Sequence, residues 1–351
     1  MRDVAIVAYI EGQNTSATTL SPVEMIVPVV HEILNRANVQ RSDIDFWCHG
    51  SCDYMTGQPF SFVSAVDALG AWPPIMESHV EMDGAWALYE AWVKIQTGEA
   101  NTALVFGNGK SSAGDMNRAL TLQLDPYVVA PLWPGFRSLE AMGARAAIDA
   151  GTVTERQMAD VVSRSLRDAA DNPNVLAYGY RDADELLDEP MTANPLRAHD
   201  CPAMADGVAA IIMTTADRAL EMCDRPAWIR GIDHRIDFQN LGLRDLSRSN
   251  SAALASFHAG VTKDKVDVAE LHATYSHHEI ILAQSMGIDR STTRMMPSGG
   301  ALVANPLMAA GLARFGQAAR QIFKGNADRA VAHAAQGACL QQNIVAVLEG
   351  N

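Results

Sequence analysis

The stretch that decides the fold is residues 80–109, VEMDGAWALYEAWVKIQTGEANTALVFGNG. Apolar side chains recur in its middle part at the i, i+3, i+4 and i+7 spacing of one helical face: Ala85, Leu88, Tyr89, Trp92 and Ile95. Trp86 and Val93 widen this face, so we expect a helix that is buried on most sides. Gly98 suits the end of the helix, because glycine adopts positive φ without a Cβ clash. The run TALVF at 102–106 then predicts an interior strand that is covered on both faces.

The bulk composition predicts a well-packed globular protein. The chain has 351 residues, of which 48% are hydrophobic and 19% are charged, and a disordered chain would be less apolar and more charged. The net charge of −14 argues against nucleic acid as a partner, since a phosphate backbone requires clustered Lys and Arg. An anionic small ligand remains compatible with this charge if backbone amides and one or two arginines hold it.

The amino terminus and the cysteines favour a cytoplasmic protein with free thiols. The segment MRDVAIVAYIEG predicts a strand and has no signal-peptide pattern, and no apolar run approaches the roughly 20 residues of a membrane helix. The five cysteines are scattered and contain no CxxC pair; they occupy positions 48, 52, 201, 223 and 339. We therefore expect neither a zinc ribbon nor a disulfide framework.

The second half of the chain repeats the order of the first half. Four pairs of segments correspond: 3–10 with 227–233, 42–48 with 266–272, 84–106 with 306–333, and 208–213 with 343–348. Two similar βαβαβ halves explain this order, at 1–218 and 219–351, with a proline-containing excursion at 111–200 inside the first. Parallel strands joined through helices need covered sheet faces, so we expect duplicated α/β layers with the two repeated helices in the middle.

Four segments resemble those of the thiolase superfamily, in its sterol-carrier-protein-type thiolase-like branch of lipid-transfer proteins and steroid-CoA aldolases. PLRAHDCPAMADGVAAII at 195–212 is similar to the family's "P-L…D…DGAAA" strand, and ELHATYS at 270–276 to its "E-L-H-D-C-F-S" strand end. PSGGALVANPLMAAG at 297–311 resembles "P-S-G-G…G-H-P-x-G-A-T-G", and AAQGACLQQ at 334–342 stands where the family has a glycine-rich loop with Cys or His. The resemblance covers essentially the whole chain. It implies a duplicated thiolase-like α/β fold of five layers, α/β/α/β/α, with an inserted loop region.

The nucleophile of a thiolase is replaced in this sequence. A thiolase needs a cysteine at the start of the buried helix, where the helix dipole and an adjacent base lower the thiol pKa. Counting back from the helix puts that position on Glu81, beside Met82 and Asp83. At the terminal loop, ungapped counting puts Gln336 on the family's Cys or His, three residues before Cys339. Condensation through an acyl-enzyme is therefore not expected.

The remaining family positions provide candidate catalytic residues. The His of "G-H-P" is Asn305, which cannot act as a base near neutral pH but can donate a hydrogen bond to a thioester oxygen, or cap a helix. The "H-D-C-F" histidine persists as His272, and Tyr275 replaces its Phe. Both can polarise a thioester carbonyl or protonate an enolate, although Tyr275 can also simply fill the space of the Phe. Cys339 is either a residual acyl-binding thiol or a packed side chain.

Further polar and glycine positions are candidates for binding the substrate. Glu81 and Asp83 precede the buried helix, where a carboxylate can act as a general base or as a helix cap. Gly299 and Gly300 offer backbone amides to a ligand or permit close packing.

The adjacent histidines at 277 and 278 invite a metal hypothesis, since Glu279 follows them. Adjacent residues of a helix point apart, so we expect no shared metal ion and give His277 a supporting or surface role near the substrate.

The resemblance implies a carbon–carbon lyase, because thiolase-like proteins without the cysteine include aldolases that cleave β-hydroxyacyl-CoA thioesters in steroid side-chain degradation. Tyr275 and His272 would then form the acid–base centre, with Asn305 near the thioester oxygen. No cofactor is expected, since coenzyme A arrives as part of the substrate.

The resemblance also implies partners and leaves two other functions open. It implies a homodimer, or a heterodimer with another thiolase-like chain, and a small partner protein with a zinc ribbon and an OB-fold. The alternatives are a non-catalytic thiolase-like subunit of a heteromeric acyl-CoA complex and a degradative thiolase that uses Cys339.

Overall fold

Strands and helices alternate along both halves of the chain. The computed structural model describes residues 2–57, 59–70, 72 and 74–350. The strands are β1 Val4–Glu11, β2 Phe46–Gly50, β3 Met76–Val80, β4 Thr102–Lys110, β5 Met191–Ala193, β6 Leu196–Arg197, β7 Met204–Thr215, β8 Ala227–Ile236, β9 Val268–Glu270, β10 Arg294–Met295, β11 Asn305–Pro306, β12 Arg329–Gln336 and β13 Gln342–Glu349. The helices are α1 Pro22–Arg36, α2 Asp53–Thr56, α3 Val63–Leu69, α4 Gly84–Thr97, α5 Met116–Leu122, α6 Phe136–Asp149, α7 Glu155–Asp168, α8 Ala183–Leu187, α9 Ala216–Met222, α10 Asn250–Ala259, α11 Ser276–Met286 and α12 Ala310–Phe323. In the described part of the chain, every helix is too short or too polar to cross a membrane.

One mixed sheet carries the strands in the spatial order β10-β9-β12-β13-β8-β1-β7-β4-β2-β3. Each half places its strands in the same order, and the halves meet where β8 and β1 pair over two residues. The expected parallel pairing holds for β2, β3 and β4 and again for β9, β10 and β12. In contrast, β7 and β13 run antiparallel to their neighbours in the sheet. The division at residue 218 stays a prediction, and that position lies inside α9.

Five layers result from the way in which the helices cover the two half-sheets. Helices α4 and α12 lie in the middle, where Leu88 and Phe315 belong to one apolar cluster with residues of both half-sheets. A second cluster joins the first half-sheet to α1, α3 and α9 on its outer face. A third joins the second half-sheet to α10, α11 and α7. The predicted α/β/α/β/α fold class is confirmed.

The local signals in the sequence explain where these elements begin and end. Helix α1 starts at a capping box between Ser21 and Glu24, which satisfies two backbone donors at its first turn. Helix α4 ends at Gly98, which has φ 82° as expected for a left-handed cap. Val93 differs from expectation, since it is exposed and its neighbours Tyr89 and Trp92 are only partly buried. The buried face of α4 is therefore narrower than the sequence pattern indicates.

Both central helices begin at one buried carboxylate. Asp83 is the N-cap of α4 and accepts a hydrogen bond from the Ala85 N–H at 2.9 Å. The same carboxylate accepts from the N–H groups of Gly311 and Leu312, in the first turn of α12, at 2.9 and 2.8 Å. A Cβ at Gly311 would overlap Asp83 Oδ1, so this close approach requires glycine. The partial positive charges of two helix ends thus meet a single anion.

We expect Asp83→Ala to lower the free energy of unfolding by about 3 kcal/mol, because three buried N–H groups lose a charged acceptor. Asp115 provides the matched control, since it caps α5 at an exposed position through the Arg118 N–H. Asp115→Ala should cost about 1 kcal/mol. Urea unfolding of both variants measures the difference, and equal losses would contradict the role of Asp83 at two helices.

Candidate active site

A cavity with about 730 Å³ of atom-free space, part of it open to solvent, lies at the amino ends of α4 and α12. Its polar wall contains residues from both halves of the chain: Asp83, Glu140, His272, Thr274, Tyr275, His278, Asn305 and Gln336. Three segments that resemble the thiolase family converge here, because β9, β11 and β12 end at this side of the sheet. The cavity therefore collects the predicted residues His272, Tyr275, Asn305 and Asp83.

The hydrogen bonds of His272 fix which ring nitrogen carries its proton. Its Nδ1 accepts from the Ala335 N–H at 3.3 Å, so the proton lies on Nε2, which is 3.4 Å from Asn305 Oδ1. Burial lowers the pKa of His272, which keeps the imidazole neutral. A ring with Nδ1 occupied and Nε2 protonated is a hydrogen-bond donor and not a base. The place of His272 in an acid–base centre stays a prediction, and the donor role expected of it, to polarise a carbonyl or protonate an enolate, is compatible with this ring.

Two donors on this wall are only weakly engaged. The 3.4 Å separation is long for the His272 Nε2–H, and the Asn305 Nδ2 group contacts the sulfur of Met204 at 3.8 Å, a weak acceptor. Strand β11 holds Asn305 beside Met204 through its parallel pairing with β7. His333 supports the His272 backbone, since its Nδ1 accepts the His272 N–H at 3.2 Å. The His272 Nε2–H and Asn305 Nδ2–H groups are placed to donate hydrogen bonds to an oxygen atom that carries negative charge.

Tyr275 presents a phenol to the cavity. The residue is 6% exposed, and no described residue hydrogen-bonds its hydroxyl, although its ring contacts that of His278 at a centroid distance of 5.3 Å. Burial, followed by the charge of Glu140, raises the pKa of Tyr275 above its usual value. The hydroxyl therefore stays protonated near neutral pH and is able to donate a proton or a hydrogen bond.

A carboxylate–imidazole pair beside Tyr275 was not predicted from the sequence. Glu140, on α6, places Oε2 2.8 Å from His278 Nε2, and its Oε1 accepts the Cys339 N–H at 2.9 Å. His278 Nδ1 lies 3.3 Å from the Thr274 hydroxyl. The available signal was a carboxylate on the buried face of α6, among the small and apolar residues Leu139, Ala141, Ala144 and Ala147. A carboxylate that is buried among apolar side chains needs a polar partner.

Four of the predicted binding residues lie outside the cavity lining: Glu81, Gly299, Gly300 and His277. Glu81 is exposed and accepts the Asp53 N–H at 2.6 Å, whereas Asp83 is the carboxylate that reaches the cavity. Gly299 and Gly300 have positive φ, and a Cβ on Gly299 would overlap Ala169 and Val303. Close packing is therefore the observed use of these two glycines.

Cys339 and His277 are both buried behind the cavity wall. The Cys339 thiol contacts the Leu139 carbonyl oxygen at 3.6 Å, and burial raises its pKa well above the usual value. The expectation that His277 and His278 point apart is wrong, since their ring centroids are 4.4 Å apart and both rings approach Glu140. His277 and His278 lie in the first turn of α11, and the side chain of Glu140 reaches this end of the helix from α6.

Comparisons with known proteins show that the chain has the thiolase fold. No family model matches it. It is similar to two archaeal proteins named acetyl-CoA acetyltransferase: one from Methanothermobacter thermautotrophicus (26% identical over 299 residues, 82% of this chain and 78% of the relative) and one from Methanocaldococcus jannaschii (26% over 303 residues, 82% and 76%). These relatives and the shared fold support a place in the thiolase superfamily.

Solved structures of the same fold match nearly the whole chain. The Ltp2-ChsH2(DUF35) aldolase has a TM-score of 0.82 at 17% identity and covers 99% of this chain and 98% of its own. Human mitochondrial 3-ketoacyl-CoA thiolase has a TM-score of 0.81 at 15% identity, with 100% and 99% coverage. The same enzyme in complex with CoA has a TM-score of 0.80 at 14% identity, with 100% and 98% coverage.

Buried histidines make the free energy of unfolding depend on pH. Burial lowers the pKa of His49 and His333 to about 3, so the unfolded chain binds protons below about pH 6.5 that the folded chain does not bind. Stability should therefore fall as the pH falls from about 6 to about 4. His49→Gln should reduce this slope by about 1.4 kcal/mol per pH unit, measured by urea unfolding. The exposed His258 is the control, and an equal effect of His258→Gln would contradict the assignment.

Proposed function

We propose that this thiolase-fold chain is a carbon–carbon lyase that cleaves a β-hydroxyacyl-CoA thioester, of steroid side-chain type, by a retro-aldol reaction. The observation that carries the proposal is the pair of weakly engaged donors, His272 Nε2–H and Asn305 Nδ2–H, beside the Tyr275 phenol in one cavity. An enolate oxygen needs donors of this kind. Two fold neighbours add support, since one is named an aldolase and another was solved with CoA.

The cysteines support a reaction without an acyl-enzyme. All five lie in the described part of the chain, and none lines the cavity. Burial raises the pKa of Cys52 and Cys201 to about 11 and also raises that of the other three. Near neutral pH these groups are therefore thiols, which are weak nucleophiles.

The cavity residues supply the remaining steps of a retro-aldol cleavage. The imidazole of His278, held by Glu140, accepts the proton of the β-hydroxyl group. The Cα–Cβ bond breaks, the carbonyl product forms from the β-carbon, and the electron pair passes into the thioester enolate. His272 and Asn305 hold the enolate oxygen. Tyr275 then protonates the α-carbon and recovers a proton from His278.

The names of the two archaeal relatives favour a second candidate, the transfer of an acetyl group between CoA thioesters. This reaction requires a nucleophile, and Cys339 would have to leave its contact with Leu139 and enter the cavity. In its degradative direction this reaction cleaves a β-ketoacyl-CoA with one molecule of free CoA, whereas the retro-aldol cleavage of a β-hydroxyacyl-CoA consumes no CoA.

Partners form part of the same proposal. We expect a homodimer, or a heterodimer with another thiolase-like chain, and a small partner protein with a zinc ribbon and an OB-fold. The name of the structurally similar aldolase joins two protein names, Ltp2-ChsH2(DUF35). We therefore propose to assay this chain also in the presence of such a partner.

We expect the purified chain, alone or with the partner, to release a ketone from a β-hydroxyacyl-CoA that bears a tertiary alcohol, without added CoA. Tyr275→Phe should lower kcat/KM by about 10²–10⁴-fold, because the proton donor is lost. Cys339→Ala should stay within about twofold of the unchanged chain. CoA-dependent cleavage of a β-ketoacyl-CoA that is lost in Cys339→Ala would support acetyl transfer instead. A stable heteromer without turnover in any pairing would indicate a non-catalytic subunit.

Asn305→Ala should lower kcat by about 10²-fold with little change in KM, because its hydrogen bond strengthens only as the enolate oxygen gains charge. Gln123, another polar residue of the lining, provides the matched control. Steady-state kinetics on both variants measure the split between kcat and KM. A rise in KM alone for Asn305→Ala would show that this residue binds the substrate without stabilising the enolate.

A further inference from the structure

We propose that Glu140, His277 and His278 bind one divalent transition-metal ion of the zinc class. Each residue offers a ligand atom, these atoms lie within 4.8 Å of one another, and all three side chains are buried. Glu140 Oε2 lies 2.8 Å from His278 Nε2 and 4.0 Å from His277 Nε2. Two metal–ligand bonds of about 2.1 Å at a tetrahedral angle separate their ligand atoms by about 3.4 Å. The two distances bracket this value, so small side-chain movements complete the site.

Hydrogen bonds within the described part of the chain do not account for the burial of the His277 imidazole. It is 1% exposed, its Nδ1 has no hydrogen-bond partner in the part of the chain that the structure describes, and its Nε2 is too far from Glu140 for a hydrogen bond. The bond between Glu140 and His278 satisfies those two side chains without involving it. An ion between the three side chains would bind Nε2 of His277, for which no described residue provides a hydrogen bond, and the ring proton would then lie on Nδ1.

The surroundings support two of the three ligands in the orientation that a metal requires. When Nε2 of His278 binds an ion, its Nδ1 carries the proton, and the Thr274 hydroxyl lies 3.3 Å away to accept it. The second oxygen of Glu140 is held by the Cys339 N–H at 2.9 Å. Burial, followed by the charge of His278, lowers the pKa of His277 well below its usual value, which leaves a neutral imidazole with a free lone pair.

Two imidazoles and one carboxylate form the ligand set of catalytic zinc sites, in which a fourth position stays open to water or substrate. Glu140 and His278 line the cavity, whereas His277 lies behind them, so the open position faces the cavity. The ion would then bind the β-hydroxyl oxygen and lower its pKa, in place of proton transfer to His278, with the proton passing to water. This consequence rests on the proposed function, whereas the binding of the ion does not.

Cobalt(II) is the probe for this site, because tetrahedral Co²⁺ absorbs visible light. The full chain is treated with a chelator, dialysed and titrated with Co²⁺, and then with Zn²⁺ in competition. We expect one equivalent of Co²⁺ per chain, a visible absorption band, and displacement by one equivalent of Zn²⁺. His277→Gln and Glu140→Gln should each weaken Co²⁺ binding by at least about 100-fold. His258→Gln, at an exposed position, should leave the affinity unchanged.

Absence of the band in the unchanged chain, or unaltered affinity in His277→Gln, would overturn the proposal. Circular dichroism and thermal unfolding identify variants that fail to fold. If His277→Gln is one of these, anomalous diffraction from zinc-soaked crystals of the unchanged chain decides, because the ion must lie between the three side chains. Retro-aldol turnover by metal-free chain would remove the proposed catalytic use of the ion and leave the proposed function standing. Co²⁺ binding without turnover would leave the site standing and count against the lyase.

Discussion

The carboxylate of Asp83 holds together the two helices around which both halves of the protein are built. It accepts N–H groups from the first turns of α4 and α12, and those helices form the apolar middle layer between the half-sheets. Two helix dipoles directed at one point favour a negative charge there. In this chain the side chain of Asp83 occupies that point. The amide groups that could otherwise activate a thiolate are therefore already used.

The candidate catalytic groups therefore lie on the walls of the cavity and not at the helix ends. Burial keeps His272 neutral, and the Ala335 N–H fixes its tautomer so that a single donor points towards Asn305, while Tyr275 keeps its proton because it is buried. These groups donate hydrogen bonds or protons, and none of them is a nucleophile. A reaction that develops charge on a thioester oxygen, and then needs a proton on carbon, matches this set better than one that needs a covalent intermediate.

The sequence was most informative where chemistry follows from local pattern. Gly98 and the apolar spacing of 84–97 predicted α4, and the family resemblance implied a shared site for His272, Tyr275 and Asn305, which line one cavity in the structure. Counting back along the sequence placed the position of the nucleophile at Glu81. The helix begins at Gly84 with Asp83 as its cap, so the carboxylate that reaches the cavity lies two residues later.

Tertiary contacts supplied what the sequence did not predict. Glu140 belongs to the excursion at 111–200, more than 130 residues from its partner His278, and no motif marks it. The orientation of His277 and His278 depends on that same carboxylate, which reaches them from another helix at the start of α11. Distances along the chain carry no information about such a meeting, because the packing of α6 against α11 determines it.

The proposed reaction cleaves a carbon–carbon bond without transfer of the acyl group to the protein or to free CoA. Incubation of the chain with a β-hydroxyacyl-CoA in D₂O, without added CoA, and mass spectrometry of the products test this point. We expect a free ketone and a shortened acyl-CoA that carries one deuterium on its α-carbon, because the enolate takes one deuteron from the exchanged groups of the site. Cleavage that requires free CoA, or an acyl group found on a cysteine of the intact protein, would contradict it.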